Sequence, residues 1–182
     1  MIIDIKKISK DIKHSGPDLI TRPVGRKIYT RIHEKMKDIN EHEVLVLDFE
    51  GIQVIDSSFI DELIVKLIVK SWKGDPVYYL KLKNISDIAE INIDSVFKSF
   101  SLYNNENIAV ITEDICKNNS FYIGSLTEVE KDIIEYLRVN KCISMNDIIA
   151  FTGMNNAGIE KIIDDLFRIR LLRIYSGSIS SV

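Results

Sequence analysis

Cysteine, proline and tryptophan are scarce: the 182-residue chain holds two, three and one of them. The two cysteines, Cys116 and Cys142, have no CxxC spacing, which predicts free thiols in a reducing cytoplasm. Three histidines, His14, His33 and His42, are scattered through the first quarter of the chain and outline no metal set. There is no P-loop, no glycine-rich dinucleotide loop and no Ser-His-Asp arrangement, so neither catalysis nor a cofactor is expected. Long apolar runs are missing as well. Asp4 interrupts the N-terminal segment, so no signal peptide or membrane span is expected, and a cytoplasmic location follows. Excess charge is absent too: the net charge is −3, with no global pull toward nucleic acid or an anionic membrane. Internal repeats and low-complexity segments are lacking.

What is present is the composition of an ordinary soluble globular protein, long enough for one or two small domains. Val44 to Phe49 is a short run of branched apolar residues, which predicts a buried strand ended at Gly51. Asp56, Ser57 and Ser58 precede a long apolar pattern. Ser58 to Asp61 has capping-box spacing, with Ser58 as the cap of a helix over about Phe59–Trp72. That helix buries Ile60, Leu63, Ile64, Leu67 and Ile68. Glu62, Lys66 and Lys70 form its polar stripe, with Glu62 and Lys66 in the favourable order. Leu63 to Val69 also suits a strand; the cap, the length and the charged stripe favour helix.

Before this centre, Met1 to Ile8 alternates apolar and polar residues and predicts a half-buried strand. Ser15 to Asp18 predicts a turn, and Pro23 suits the first position of a helix reaching about Asn40. Gly25, Ile28, Tyr29, Ile32 and Met36 form its buried stripe. After the centre, Lys73 to Pro76 predicts a stop and Val77 to Leu82 a strand. Ser86 or Asp87 caps a helix to about Phe100, and Ile108 to Ile111 is a last short strand. Strands alternating with helices predict an α/β (α+β) fold, a mixed sheet with packed helices and right-handed crossovers.

The Leu47-Asp-Phe-Glu-Gly51 and Ser57-Ser-Phe-Ile-Asp-Glu-Leu63 segments resemble the STAS-like family of unknown function. That family is related to the anti-sigma-factor antagonists of bacteria. Phe59 stands where typical STAS domains have glycine. The resemblance implies the STAS-like fold over the first two-thirds of the chain. It also implies a protein partner of the histidine-kinase-like ATPase class, and phosphorylation of a serine at the Asp56-Ser57-Ser58 turn.

Residues 123–182 read as a second domain after a first domain of residues 1–122. Thr127 to Glu130 and Ser144 to Asp147 are two capping boxes. Gly153 makes a turn, Asn155 or Asn156 starts a third helix, and Leu171 to Val182 is a hairpin around Ser176-Gly177. This pattern resembles a winged helix-turn-helix domain. In such a domain the third helix reads DNA, with Asn155, Asn156, Lys161, Arg168, Arg170 and Arg173 as candidate contacts. The segment's net charge, from seven basic and eight acidic residues beyond Ser125, opposes strong phosphate binding. A protein-docking role is therefore favoured over DNA contact.

The candidate partner surface is Asp56, Ser57, Ser58, Phe59, Asp61 and Glu62, with Ser57 and Ser58 as phosphorylation candidates. A helix N-terminus suits a phosphate, whereas Asp56, Asp61 and Glu62 repel one. The plainer expectation is that Ser58 only caps, Asp61 completes the cap and Glu62 is solvated. As neighbours on an α-helix, Asp61 and Glu62 diverge by about 100° and are not expected to converge. Asp48, Glu50 and Asp56 carry the oxygens a hard cation wants, but alternation along the strand tends to separate them. Arg22, Arg26, Lys27 and Arg31 give the first helix basic faces, expected to be solvated. The function that follows is a non-enzymatic bacterial regulator; the alternatives are a DNA-binding transcription regulator and a small-molecule sensor.

Overall fold

The branched apolar run is a strand, Glu43–Asp48, at the centre of a sheet. The structure is a computed structural model that describes every residue except Ser15, Asp75, Asn118 and Ser176. The turn and helix-stop expectations at Ser15, Asp75 and Ser176 fall outside those described residues. Two compact units divide the chain, Met1–Ser125 and Leu126–Val182.

The first unit runs β1 (Ile2–Asp4), α1 (Ile5–Asp11), β2 (Asp18–Leu19), α2 (Arg22–Lys35), β3 (Glu43–Asp48), β4 (Val54–Ile55) and α3 (Ser57–Ile60). A π-helical turn, Asp61–Val65, joins α3 to α4 (Lys66–Lys73). Then come β5 (Tyr78–Lys83), α5 (Asp87–Asn104), β6 (Ala109–Thr112) and β7 (Tyr122–Gly124). The main sheet has the order β1-β3-β5-β6-β7. The first four strands are parallel and β7 is antiparallel on β6, so the sheet is mixed, as the alternation of elements predicts. In register, Leu45 lies opposite Leu80 and Leu47 opposite Leu82. These four share one face with Val110 and pack into a core with Ile28, Ile32, Phe59, Leu63, Leu67, Ile93 and Phe97. Each such side chain, fully withdrawn from water, contributes about 1.5–3 kcal/mol.

The chain start differs from its expectation. The strand is only Ile2–Asp4, because the Asp4 carboxylate accepts a bond from the Lys7 N–H and turns the chain into α1. Ile5 and Ile8, three apart, serve a helix face as well as they serve an alternating strand, and both are buried. The pair β2–β4 and the edge strand β7 have no counterpart among the strands the sequence pattern predicts. Each is two or three residues long, too short for a hydrophobic period to register. Leu63 to Val69 is helical, with a π turn at its start.

Gly25 lets α2 lie close against α3. A methyl group there would sit 3.1 Å from Glu62 Cβ, 3.2 Å from the Phe59 carbonyl oxygen and 3.3 Å from Phe59 Cα.

The second unit contains α6 (Glu128–Asn140), β8 (Ile143–Ser144), α7 (Met145–Thr152), α8 (Asn156–Arg168), β9 (Leu172–Tyr175) and β10 (Ser178–Ser181). Both capping boxes are formed, at Thr127 with Glu130 and at Ser144 with Asp147. Gly153 ends α7 at φ +68°, and the Asn155 side chain caps α8 by accepting from the Gly158 N–H. The hairpin gains a third strand, giving an antiparallel sheet in the order β8-β10-β9. Strand β7 belongs to the first unit. No helix among the described residues is long and apolar enough to cross a membrane.

Replacing Gly25 by alanine is expected to force α2 away from α3 and to lower stability by about 1–3 kcal/mol. Urea denaturation followed by circular dichroism measures this; an unchanged midpoint would mean that the two helices have room to spare.

Candidate interaction site at the start of α3

Strand β4 delivers the chain to Asp56, whose N–H donates to the Leu19 carbonyl at 3.3 Å. The Asp56 carboxylate is the N-cap. Oδ1 accepts from the Phe59 N–H at 2.7 Å, and Oδ2 accepts from the Thr21 N–H at 3.1 Å. Ser58 Oγ donates to the same carboxylate at 3.0 and 3.1 Å. Ser58 is thus not the cap, and Asp61 does not complete one. A carboxylate with two oxygens satisfies the helix start and the α2 start together, which one hydroxyl cannot do. Thr21 itself sits at φ +79° and makes no side-chain cap bond.

The two serines differ in setting. Ser57 is exposed, and its hydroxyl makes no hydrogen bond among the described residues. Ser58 is half-buried and tied to Asp56. Phe59 is fully buried in the core, so it is not part of an accessible partner surface. Its ring is part of the core cluster of the first unit.

Glu62 corrects a second expectation. It is not solvated; 2 % of its side chain is exposed. It accepts from Arg22 Nη1 at 3.1 Å, from Arg26 Nε at 3.1 Å and from the Lys66 ammonium. Arg22 Nη1 also donates to Asp61 Oδ2 at 2.8 Å. The adjacent carboxylates therefore do converge, on one guanidinium, at the opening of the π turn. The basic faces of Arg22 and Arg26 are engaged rather than free. The hydrogen bond from Lys66 holds the Glu62 carboxyl down at about 2 against the opposing effect of burial, helped by Arg26 and Arg22. Arg22 is pushed above its ordinary value, chiefly by its hydrogen bond to Asp61.

A cleft of about 400 Å³ opens beside this turn. Arg22, Ser57, Ser58 and Asp61 line it along with α5 residues that include Ser99 and Tyr103. Helix α5 is anchored to the site: Asn92 Nδ2 donates to the Ile55 carbonyl at 2.8 Å and Ser86 Oγ to the Gln53 carbonyl at 2.6 Å. Tyr103 is 86 % exposed and Leu102 80 %. Sequence reasoning passed over this wall. The available signal was apolar and aromatic residues of α5 off its buried stripe of Ala89, Ile93 and Phe97: Val96, Phe100 and Tyr103 line the cleft.

Other candidates disperse. Asp48 accepts from Asn84 Nδ2 and from the Glu50 N–H, while Asp56 is committed to capping. No group of three metal-capable side chains converges among the described residues. In the second unit Asn155 is spent on its cap, Asn156 Nδ2 reaches Glu160 at 3.3 Å, and Lys161 is exposed. Arg168 lies 3.6 Å from Asp165, Arg170 stands over the Phe167 ring, and Arg173 is half-buried in β9.

Because the folded carboxyl of Glu62 titrates below its ordinary 4.5, its contribution is complete above that pH and is lost as pH falls toward 2. Glu62→Gln is expected to destabilise by about 1–3 kcal/mol at neutral pH. The variant should also lose less stability than the parent between pH 4.5 and 2. Thermal melts across that window check this; parallel curves for the two proteins would contradict it.

Residues 24–87, from α2 to the first residue of α5, match a family described as a STAS-like domain of unknown function. The match contains Asp56, both serines, Arg26, Asp61, Glu62 and Lys66; Arg22 stands two residues before it. No curated protein matches the chain. The chain therefore carries a STAS-like domain, with this turn inside it.

Proposed function

We propose that this is a non-enzymatic bacterial regulator whose STAS-like domain docks on a protein partner around Ser57, with phosphorylation of Ser57 as the switch. The observation that carries the reading is an exposed Ser57 hydroxyl, without a hydrogen bond among the described residues, in a cleft that Arg22 also lines. The chemistry favours a phosphate more than the acidic sequence around it suggests. Asp61 and Glu62 are already matched by Arg22, Arg26 and Lys66. A phosphoryl group of charge about −1.5 to −2 would compete for Arg22 and take the surface from near-neutral to anionic. That change is large enough to repel a partner fitted to the unmodified form.

The resemblance to anti-sigma-factor antagonists implies the partner class, a histidine-kinase-like ATPase, and a cytoplasmic setting. With Phe59 and Glu62 buried, the contact surface in this reading is Asp56, Ser57, Ser58 and Asp61, bordered by the exposed end of α5. The second unit serves as a further docking surface with a winged-helix arrangement. DNA contact by α8 is not favoured, because exposed Glu160 and Asp164 stand on the same helix as Lys161 and Arg168.

Incubating the full chain with its partner ATPase and ATP, then mapping phosphate by mass spectrometry, tests the reading. Label is expected on Ser57 and lost in Ser57→Ala, and Ser57→Asp is expected to weaken partner binding at least about tenfold, or roughly 1.4 kcal/mol. Label confined to Ser58, or full binding by Ser57→Asp, would refute it.

A further inference from the structure

A second cavity lies elsewhere in the first unit, where the ends of α2 and α4 meet the start of β5. It measures about 260 Å³ and is lined by His33, Met36, Lys37, Ile39, Lys70 and Tyr78, among others. Its apolar part is well withdrawn from water: Met36, Ile39 and Tyr78 are 6 %, 7 % and 1 % exposed. The Tyr78 hydroxyl is already spent on the Leu67 carbonyl at 2.6 Å, so only its ring faces a guest.

The charged groups on the polar side of the cavity, Lys70 and Lys37, have one sign. Lys70 is half-buried, and its ammonium makes no hydrogen bond or ion pair among the described residues. Lys37 and His33 are exposed. None of the six lining residues named is acidic. With no acceptor among the described residues, a partly desolvated ammonium is costly to hold; burial already presses the Lys70 pKa below its ordinary 10.5. This contrasts with Lys66, one turn earlier on the same helix, which is matched to Glu62. The volume falls just below the usual range for drug-sized guests, which suits a small metabolite.

We propose that this cavity binds a small carboxylate with a short apolar tail. The carboxylate sits on Lys70 Nζ with Lys37 and His33 beside it, and the tail lies against Met36, Ile39 and the Tyr78 ring. The site is separate from the Ser57 turn and stands or falls independently of the docking role.

Calorimetric titration of the full chain with sodium hexanoate, acetate and hexanamide tests the site. Hexanoate is expected to bind saturably, with acetate and hexanamide each at least about tenfold weaker, since one lacks the tail and the other the charge. Lys70→Met should weaken hexanoate by a similar factor while melting no lower than the parent, and Lys70→Arg should retain it. Methyl NMR of the unmodified chain gives a second readout, with hexanoate shifting the Met36 and Ile39 signals. Equal binding by Lys70→Met, equal binding of acetate, no hexanoate binding, or methyl shifts elsewhere would each overturn the proposal.

Discussion

One buried, ionised carboxylate sets the geometry of the first unit. Glu62, in the π turn that packs on α2, lies almost out of contact with water and takes bonds from Arg22, Arg26 and Lys66. Burying an isolated carboxylate is expensive, by several kcal/mol even after relaxation. The cations offset that cost only while α2 stays at the right distance and rotation. Gly25 makes the distance possible, since any side chain there would meet Glu62 and Phe59. Charge and close packing thus specify one arrangement of two helices that hydrophobic burial alone would leave freer to slide.

The site inherits its order from that arrangement. With α2 fixed, the Thr21 N–H at its start reaches Asp56, and Asp56 in turn holds the first turn of α3 and the Ser58 hydroxyl. Ser57 is the residue left over, pointing its chemistry outward from a rigid frame. Five charged groups, Arg22, Arg26, Asp61, Glu62 and Lys66, act as one network, in which Arg22 is shared between two carboxylates. A shared guanidinium is the group most readily redirected when a new anion arrives, because it gives up one bond and keeps another.

The second unit is built on different terms. Two complete capping boxes and an asparagine cap start its three helices, so each helix is specified by residues within four positions of its own end. Its basic residues are spread over α6, α8 and the segments that follow each, interleaved with acids.

Much of the fold was legible in the chain. Strands β3 and β5, the helices capped at Ser86, Thr127, Ser144 and Asn155, and the turn at Gly153 follow from signals that act over a few residues: alternation, capping spacing and a left-handed glycine. The candidate turn at Asp56-Ser57-Ser58 was legible for the same reason. The sequence could not show that Asp56 rather than Ser58 caps, because the deciding partner, Thr21, is 35 positions away. Nor could it show that Glu62 is buried: its spacing to Lys66 reads as a solvated pair, and the arginines that bury it come from 36 and 40 positions earlier. The α5 wall of the cleft and the cavity around Lys70 are likewise meetings of distant segments. Local hydrogen bonding and hydrophobic period are written in neighbouring residues. Which charges leave water together is decided only when the helices dock, since the cost of burying each depends on what the other elements bring to it.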